Sequence, residues 1–170
     1  MTAIVVPFRG AGAKRRLGPF GPALARAMLA DVLAASEGLG DVVVARAEGG
    51  QGVAVAAALA GLRAGPVLVV NADLPCATPA DLERLLVAAP ALVEARDGTT
   101  NALALPEPGL FADLYGPGSA ARFRVRLAAA TLALPGLVDD VDTFADLERF
   151  EHRLGPQTRA VLDALREPTW

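Results

Sequence analysis

Two acidic turns carry the side chains of this sequence that are best suited to bind a metal ion. Asp73 lies in the stretch NADLP, directly after the apolar run VLVV, and Asp140 and Asp142 lie in the stretch DDVDT. Helix caps explain the aspartates that follow these turns, but they do not explain these three residues. Carboxylates from two separate turns suit a Mg²⁺ ion that also coordinates phosphate oxygens. The sequence therefore predicts a magnesium site formed by Asp73 and Asp140, with Asp142 beside them.

The loop FRGAGAKRRLG combines small residues with positive charge. Gly10 and Gly12 would let backbone N–H groups approach a phosphate, and Lys14, Arg15 and Arg16 add cations. Lys14 is the only lysine among the 16 Lys and Arg residues, and its compact charge is one that arginine does not supply. The loop matches neither the P-loop spacing nor the dinucleotide-binding fingerprint. We predict that Lys14 is catalytic and that Gly10, Gly12 and Arg16 contact a nucleotide.

Alternating strands and helices must position these loops. The apolar runs predict strands at 3–7, 41–45, 66–70, 91–95 and 101–105. Helical spacing predicts helices at 22–37, 53–63 and 119–130. Thr-x-x-Asp caps predict two more helices, which begin after Thr78 and Thr143. Further helix is expected toward residue 165. The apolar segment 132–138 leads into DDVDT, so we expect both acidic turns at strand ends. This alternation predicts a mostly parallel sheet covered on both faces, with ligands at the carboxyl ends of the strands.

The composition of the chain restricts its class. Its 170 residues are 53% hydrophobic, which predicts one globular domain over 1–170. A net charge of −3 and a pI of about 5.2 give no electrostatic reason to expect nucleic acid or a membrane as partner. Cys76 is the only cysteine, which excludes an intrachain disulfide, and the apolar start TAIVVPF is too short for a signal peptide. We predict a cytoplasmic protein.

The motifs VPFRGAGAKRRL, NADLP, GTTNALAL, YGPGSAARF and DDVDT occur in an order that resembles the CofC/FbiD family. The resemblance covers roughly residues 3–155, and its most specific part is GPGS followed by Ala-Ala-Arg. It implies an α/β three-layer sandwich with a mostly parallel mixed sheet, the Rossmann-like, GT-A-like fold of MobA-like nucleotidyltransferases. It also implies transfer of GMP from GTP to a three-carbon phosphate acid in coenzyme F(420) biosynthesis.

The resemblance also implies roles for single residues. The family's metal aspartates fall on Asp73 and Asp140, and its contacts to the phosphorylated acid fall on Thr100, Gly116 and Ser119.

Further predictions concern the nucleotide and the charge of the acceptor. Nucleotide contacts are expected at Gln51 and Gly52, where the family often carries an asparagine, and at Asn71 of NADLP. Arg122 follows GPGS, and its guanidinium would neutralise a carboxylate or phosphate by a bidentate contact. The chain departs from the family at Phe123, where many members have histidine. No general base is required, because a phosphate monoester is already an anion.

Several alternatives stay open at this point. Phosphoenolpyruvate is the expected acceptor, with 2-phospho-L-lactate and 3-phospho-D-glycerate as alternatives. A molybdopterin guanylyl- or cytidylyltransferase, an isoprenoid-pathway cytidylyltransferase and a nucleotide-binding module without turnover are competing functions. A dehydrogenase is disfavoured by the missing fingerprint. The sequence does not reveal the oligomeric state, and a homodimer is compatible with it.

Overall fold

In the computed structural model, the chain is described at residues 1–10, 12, 14–62 and 64–167. These residues form a mixed sheet with helices on both of its faces, as the sequence predicts. The six strands of the sheet are Ala3–Phe8 (β1), Asp41–Arg46 (β2), Val67–Val70 (β3), Ala91–Glu94 (β4), Thr100–Leu105 (β5) and Ala130–Thr131 (β6). Their order in the sheet is β2-β1-β3-β5-β4-β6. Among these strands β5 alone runs against the others, because it pairs antiparallel with both β3 and β4.

Helices cover the two faces of the sheet and one of its ends. They are Gly21–Ser36 (α1), Gln51–Ala60 (α2), Pro79–Val87 (α3), Ser119–Leu127 (α4), Pro135–Val138 (α5), Phe144–Phe150 (α6) and Pro156–Arg166 (α7). Short 3₁₀ turns occur at Arg15–Phe20, Pro108–Leu110 and Glu151–Arg153. None of the helices in the described ranges combines the length and the apolarity needed to span a bilayer.

Alternation along the strands divides the core into two layers. Ile4 and Val6 of β1 pack in one layer beneath α1, α3 and α5, whereas Val5 packs in the other beneath α2 and α4. A third cluster joins α1 to α6 and α7 and includes the buried Cys76. The core therefore fixes β1 and β3 side by side, and the loops that follow these two strands meet at one end of the sheet.

Two helix starts confirm the caps read from the sequence. The hydroxyl of Thr78 accepts from the backbone N–H of Asp81 at the start of α3. Thr143 and Asp146 form a reciprocal capping box at the start of α6. The helix predicted at 53–63 begins earlier, at Gln51, and ends at Ala60, while residue 63 lies outside the described part of the chain.

One predicted strand end is wrong. The segment 132–138 does not lead into the second acidic turn as a strand; its last residues form the one-turn helix α5. Pro135 occupies the first turn of that helix, where a backbone N–H would have no partner within the helix. In a strand, the same proline could not have donated a hydrogen bond to a neighbouring strand. Burial of Leu134 and Leu137 against the sheet supplies the apolar pattern that resembled a strand. Asp140 therefore reaches the site from a helix end.

Candidate functional site

Lys14 lies at the centre of the end of the sheet where β1 and β3 finish. Its ammonium donates to Asp73 Oδ2 at 2.8 Å, to the carbonyl of Val141 at 2.6 Å and to Asp142 Oδ1 at 2.5 Å. These three contacts use all three N–H groups of the ammonium. Burial alone would lower the pKa of Lys14, but the charge of Asp73 and hydrogen bonds to Asp142 and Asp73 raise it above its ordinary value. The lysine is therefore held as a cation.

Three carboxylates surround the same point. Asp73, Asp140 and Asp142 can each offer one oxygen, and these oxygens all lie within 4.8 Å of one another. Burial, with the charge of Asp73 as the next cause, raises the pKa of Asp140. The remaining oxygen of Asp73, Oδ1, is buried and has no hydrogen-bond partner among the described residues. A donor set of clustered carboxylates with a spare oxygen fits a hard divalent cation such as Mg²⁺.

Backbone contacts hold the second acidic turn against the first. The N–H of Val141 donates to the carbonyl of Asp73 at 3.0 Å, and the Val141 side chain is fully buried. Asp146 Oδ2 accepts from the backbone N–H of Asp142 at 3.1 Å and from that of Thr143 at 2.9 Å. The cap of α6 therefore also fixes the loop that presents Asp140 and Asp142.

A β-bulge adds a residue that the sequence reasoning missed. Val93 of β4 pairs with Ala102, but Glu94 pairs with Thr100, which leaves Asn101 as the extra residue of β5. Its buried amide donates to the carbonyls of Leu137 at 3.0 Å and Val138 at 2.9 Å.

The same amide lies 3.5 Å from Asp140 Oδ1. Asn101 therefore links the end of α5 to a predicted metal ligand. The only signal for it in the sequence is a polar residue at the start of an apolar strand.

A cavity of about 410 Å³ opens above these residues. Gln51 and Asn71 stand on its wall, where Gln51 Nε2 donates to Asn71 Oδ1 at 2.6 Å and Asn71 Nδ2 donates to the carbonyl of Thr100 at 3.3 Å. Most of the residues predicted for the metal and the nucleotide line this cavity: Gly10, Lys14, Gln51, Asn71, Asp73, Asp140 and Asp142. Thr99 and Asn101, which the sequence reasoning did not select, line it as well.

Three predicted nucleotide contacts lie apart from the cavity wall. Gly52 is buried against the carboxylate of Asp113, and a Cβ at this position would lie 1.7 Å from Asp113 Oδ1. Gly12 is exposed and lines a shallow depression beside the cavity, together with Arg9 and Arg15. Arg16 is exposed on the first 3₁₀ turn. Residues 11 and 13 of the same loop lie outside the described residues.

The residues predicted for the acceptor acid come together on the α4 side of the sheet. Thr100 Oγ1 and Ser119 Oγ are 3.0 Å apart, and both side chains are buried. Gly116 has a positive φ of 112°, and its carbonyl accepts from the N–H of Ser119 at 3.0 Å. These three residues form one cluster, but none of them belongs to the wall of the 410 Å³ cavity.

Arg122, the residue predicted to neutralise the acceptor, donates to backbone carbonyls. Its guanidinium donates to the carbonyls of Leu114, Tyr115 and Pro117, and so ties the GPGS segment to its own helix. Phe123, where the family often has histidine, is fully buried and packs against Tyr115 at a ring-centroid distance of 5.2 Å. In this chain the position of the family's histidine belongs to the core.

Comparison with curated proteins decides the family. A phosphoenolpyruvate guanylyltransferase from Nocardia farcinica is 43% identical over 123 residues, which cover 64% of this chain and 53% of that protein. A 2-phospho-L-lactate guanylyltransferase from Haloferax volcanii is 36% identical over an alignment of 190 positions, gaps included, and the alignment covers 95% of this chain and 90% of that protein. The chain belongs to this family of guanylyltransferases. No protein-family model matches the chain.

The match to several members of the guanylyltransferase family is partial. The chain spans about half the length of two of these relatives: 53% of the Nocardia farcinica protein and 52% of a phosphoenolpyruvate guanylyltransferase from Rubrobacter xylanophilus.

Solved structures agree with the fold. A nucleotide-diphospho-sugar transferase from Desulfovibrio desulfuricans superposes with a TM-score of 0.66 at 20% identity, covering 96% of this chain and 94% of that one.

A Mycobacterium tuberculosis protein solved with manganese also shares the fold of this chain. It superposes with a TM-score of 0.55 at 23% identity, covering 87% of this chain and 96% of that one. At these identities the two solved structures establish the fold alone. The predicted nucleotidyltransferase fold is confirmed.

Proposed function

We propose that the protein is a guanylyltransferase that transfers GMP from GTP to phosphoenolpyruvate, giving enolpyruvyl-2-diphospho-5'-guanosine and pyrophosphate. One observation carries the proposal: in a chain of this family, Lys14 and the acidic trio Asp73, Asp140 and Asp142 converge at the floor of one cavity. We place the reaction in coenzyme F(420) biosynthesis, as the family resemblance implies, and in the cytoplasm, as expected from the composition of the chain.

The proposed reaction forms one bond and breaks one. A phosphate oxygen of the acid attacks the α-phosphorus of GTP, and the bond from that phosphorus to the bridging oxygen of the β-phosphate breaks. The electron pair leaves with pyrophosphate. No proton has to be removed from the nucleophile, since a phosphate monoester is already an anion near neutral pH. The catalytic requirement is therefore to bring two anions together and to neutralise the charge of the leaving group.

The acidic trio would hold a divalent cation, with Asp73 and Asp140 as the main ligands. A bound Mg²⁺ supplies charge neutralisation to phosphate oxygens in this kind of transfer. Lys14 would exchange its carboxylate contacts for oxygens of the triphosphate. The acidic residues orient this ammonium before the nucleotide arrives, because Asp73 and Asp142 both accept from it.

Gln51 and Asn71 are the proposed contacts to the nucleoside part of GTP. Their side chains bond to each other at 2.6 Å on the cavity wall, which fixes the orientation of both amides. The backbone N–H of Gly10 is the proposed phosphate contact of the first loop, with Gly12 and Arg16 farther out.

Thr100, Gly116 and Ser119 form the proposed acceptor site. Because the hydroxyls of Thr100 and Ser119 are buried against each other, one of them has to turn toward the acid.

The nearest second candidate is a 2-phospho-L-lactate guanylyltransferase. The Haloferax volcanii relative, which carries that name, matches 95% of this chain. 3-Phospho-D-glycerate is a third acceptor within the same reaction type. The three acids share a three-carbon chain and differ in its saturation, in a hydroxyl group and in the position of the phosphate, and none of the charged contacts above distinguishes them.

The experiment that tests the proposal measures pyrophosphate release. The purified protein is incubated with Mg²⁺, GTP and each of the three acids in turn, with GTP alone and the Asp73→Asn variant as controls. We expect release only when GTP and phosphoenolpyruvate are both present. Release with phospholactate but not phosphoenolpyruvate would change the acceptor and keep the reaction. Binding of GTP without release in any mixture would identify a nucleotide-binding module. A parallel series replaces GTP with CTP, and greater release with CTP would identify a cytidylyltransferase.

A further inference from the structure

A depression of about 530 Å³ adjoins the 410 Å³ cavity and shares part of its wall. Arg9 and Ala47 line both of them. The other described residues around the depression are Gly12, Arg15, Glu48 and Gly50. Ligand pockets usually enclose about 300–1,000 Å³, so the cavity is small for a site that has to take a metal ion, a triphosphate and a ribose. The base of a bound nucleotide is therefore expected to extend into the adjoining depression.

Glu48 stands on a fixed turn at the end of β2. The N–H of Ala47 donates to the carbonyl of Phe8, the last residue of β1, at 3.1 Å, and the N–H of Gly50 donates to the carbonyl of Ala47 at 3.1 Å. These two bonds set the position of the Glu48 backbone relative to the first loop. At Gly12 and Gly50 the space that a Cβ would occupy is open, so the depression is not filled from either side.

The carboxylate of Glu48 is available to a ligand. Glu48 carries the only acidic side chain among the described residues that line the depression. It is exposed, and it forms no ion pair with any described residue, although two arginines line the same depression. Both of its oxygens can therefore accept hydrogen bonds. Two acceptors side by side suit a ligand that carries two neighbouring N–H donors.

We propose that the depression holds the guanine base of GTP and that Glu48 selects guanine over the other bases. This inference rests on the proposed use of GTP. Guanine carries two adjacent donors, N1–H and the 2-amino group, and each oxygen of the Glu48 carboxylate would accept from one of them. Adenine and cytosine place a ring nitrogen with a lone pair beside their amino group, and uracil has carbonyls on both sides of its N–H. A carboxylate opposite any of these three bases would face another acceptor, which disfavours them.

The arginines of the depression suit the rest of the base. Guanine O6 and N7 are both acceptors, and a guanidinium that donates to the two of them is the commonest specific contact to this base in DNA. Arg9 and Arg15 are exposed, and neither forms an ion pair with a described residue. The same guanidinium groups can also stack on the face of a purine. A phosphate group would be repelled by Glu48, so acid and arginines together favour a base over a phosphate.

The test compares nucleotides that differ only at C2 of the base. Inosine triphosphate lacks the 2-amino group, and xanthosine triphosphate carries a carbonyl in its place. For each nucleotide, kcat/KM is measured with the acid that supports turnover, and equilibrium binding is measured by calorimetry in the presence of Mg²⁺. Because a hydrogen bond to a charged group is lost, the unmodified chain should prefer GTP to inosine triphosphate roughly ten- to hundred-fold.

Two variants of Glu48 test its role directly. Glu48→Gln should use GTP less well and xanthosine triphosphate better, because the amide keeps one acceptor for N1–H and sets a donor opposite the 2-carbonyl. The preference for GTP over xanthosine triphosphate should fall roughly hundred-fold. Glu48→Ala should use GTP and inosine triphosphate equally well. Glu83→Gln is the matched control, because it removes the same charge at an exposed position of α3, and it should keep the preference of the unmodified chain.

The outcomes for base selection differ from those for the proposed reaction. Selective binding of GTP that is lost in Glu48→Gln, without release of pyrophosphate, would support the role of Glu48 and contradict the reaction. Normal release with an unchanged preference for GTP in a folded Glu48→Gln variant would overturn the role of Glu48 and leave the reaction standing. An equal gain for every nucleotide in that variant would show that Glu48 only repels the triphosphate. Equal use of GTP and inosine triphosphate by the unmodified chain would also overturn the inference, and failure to bind any nucleotide would overturn both.

Discussion

Lys14 Nζ donates to Asp73 Oδ2 at 2.8 Å, although the two residues are 59 positions apart in the chain. The contact joins the loop after β1 to the loop after β3, and these two strands are neighbours in the sheet. Asp140 and Asp142 stand at the same point, so one ammonium faces three carboxylates and cannot neutralise them. The excess negative charge attracts a cation, while the ammonium is available for a phosphate. The predictions below test how these groups divide the two tasks.

Replacing Lys14 with alanine should impair the use of GTP. Loss of a charged hydrogen bond to phosphate is expected to lower kcat/KM for GTP roughly ten- to hundred-fold. Lys14→Arg should restore only part of this, because a planar guanidinium does not replace a compact ammonium between three acceptors. The measurement varies GTP at saturating acceptor, and Arg126→Ala, at an exposed position of α4, is the control. Unchanged GTP kinetics in Lys14→Ala would show that Lys14 serves only to pair the acidic residues.

Replacing Asp73 with asparagine should nearly abolish turnover and leave the fold intact. The substitution keeps the shape of the side chain but removes the charge that pairs with Lys14 and the buried, unpartnered Oδ1 oxygen. Binding of Mn²⁺, followed by electron paramagnetic resonance, should weaken together with activity. Asp163→Asn on the exposed face of α7 is the control for loss of a carboxylate. Near-normal turnover of Asp73→Asn at saturating Mg²⁺ would remove Asp73 from the metal site.

The parts of the fold that could be predicted depend on local sequence. The run VLVV is apolar at every position because helices cover both faces of β3, so its end and Asp73 were identifiable. The cap of Thr143 was predictable because a hydroxyl and an acid three residues later suffice to form it. The segment 132–138 was misassigned, because a buried apolar run with a proline in its middle fits a short helix as well as a strand.

Features set by distant partners could not be predicted. Asn101 lies 39 positions from Asp140, and the bulge that directs its amide depends on the pairing of β4 with β5. The contact of Arg122 with the acceptor stays a prediction, and the carbonyls of the loop before α4 to which its guanidinium donates could not be read from its charge. Residue type gives the capacity for such contacts, whereas the partner is set by the tertiary fold.

Replacing Asn101 with alanine should disturb the metal site without touching the metal ligands themselves. The variant loses the donors to Leu137, Val138 and Asp140, so the end of α5 and the Asp140 carboxylate are no longer held. Leaving these buried carbonyls unpaired should cost about 1–3 kcal/mol of unfolding free energy. We expect Mn²⁺ affinity and kcat to fall together. A variant with lower stability but unchanged Mn²⁺ affinity would limit Asn101 to a structural role.

Replacing Asp146 with asparagine should lower the free energy of unfolding at neutral pH and reduce its dependence on pH in acid. Burial would raise the pKa of Asp146, but hydrogen bonds from Thr143 and from the backbone N–H of Asp142 outweigh it and lower this pKa below 3.8. A lowered pKa stabilises the folded state above pH 3.8, and this contribution is lost as the pH falls through the folded-state value.

Asparagine keeps an oxygen that can accept from the backbone N–H groups but loses the charge that strengthens these bonds, so the variant should lose part of the stability of the cap at neutral pH. Denaturant unfolding at neutral pH and below pH 3.8 measures the difference. The two proteins should converge in acid, whereas Asp163→Asn should track the unmodified chain throughout. A constant gap between Asp146→Asn and the unmodified chain at every pH would contradict the assigned pKa shift.

Replacing Ser119 with alanine tests the acceptor site on the side of the sheet occupied by α4. If Ser119 turns its hydroxyl from Thr100 to an anionic oxygen of the acid, its loss should cost about 1.5–3 kcal/mol, or roughly ten- to hundred-fold in kcat/KM for the acceptor. GTP constants should change little, because Gly10, Gln51 and Asn71, three of the residues proposed for the nucleotide, line the separate cavity beside β1 and β3. Each substrate is varied at saturation of the other, and Thr100→Val is measured in parallel. Equal losses for both substrates, or a lower unfolding free energy with unchanged kinetics, would assign the Thr100–Ser119 pair to the core.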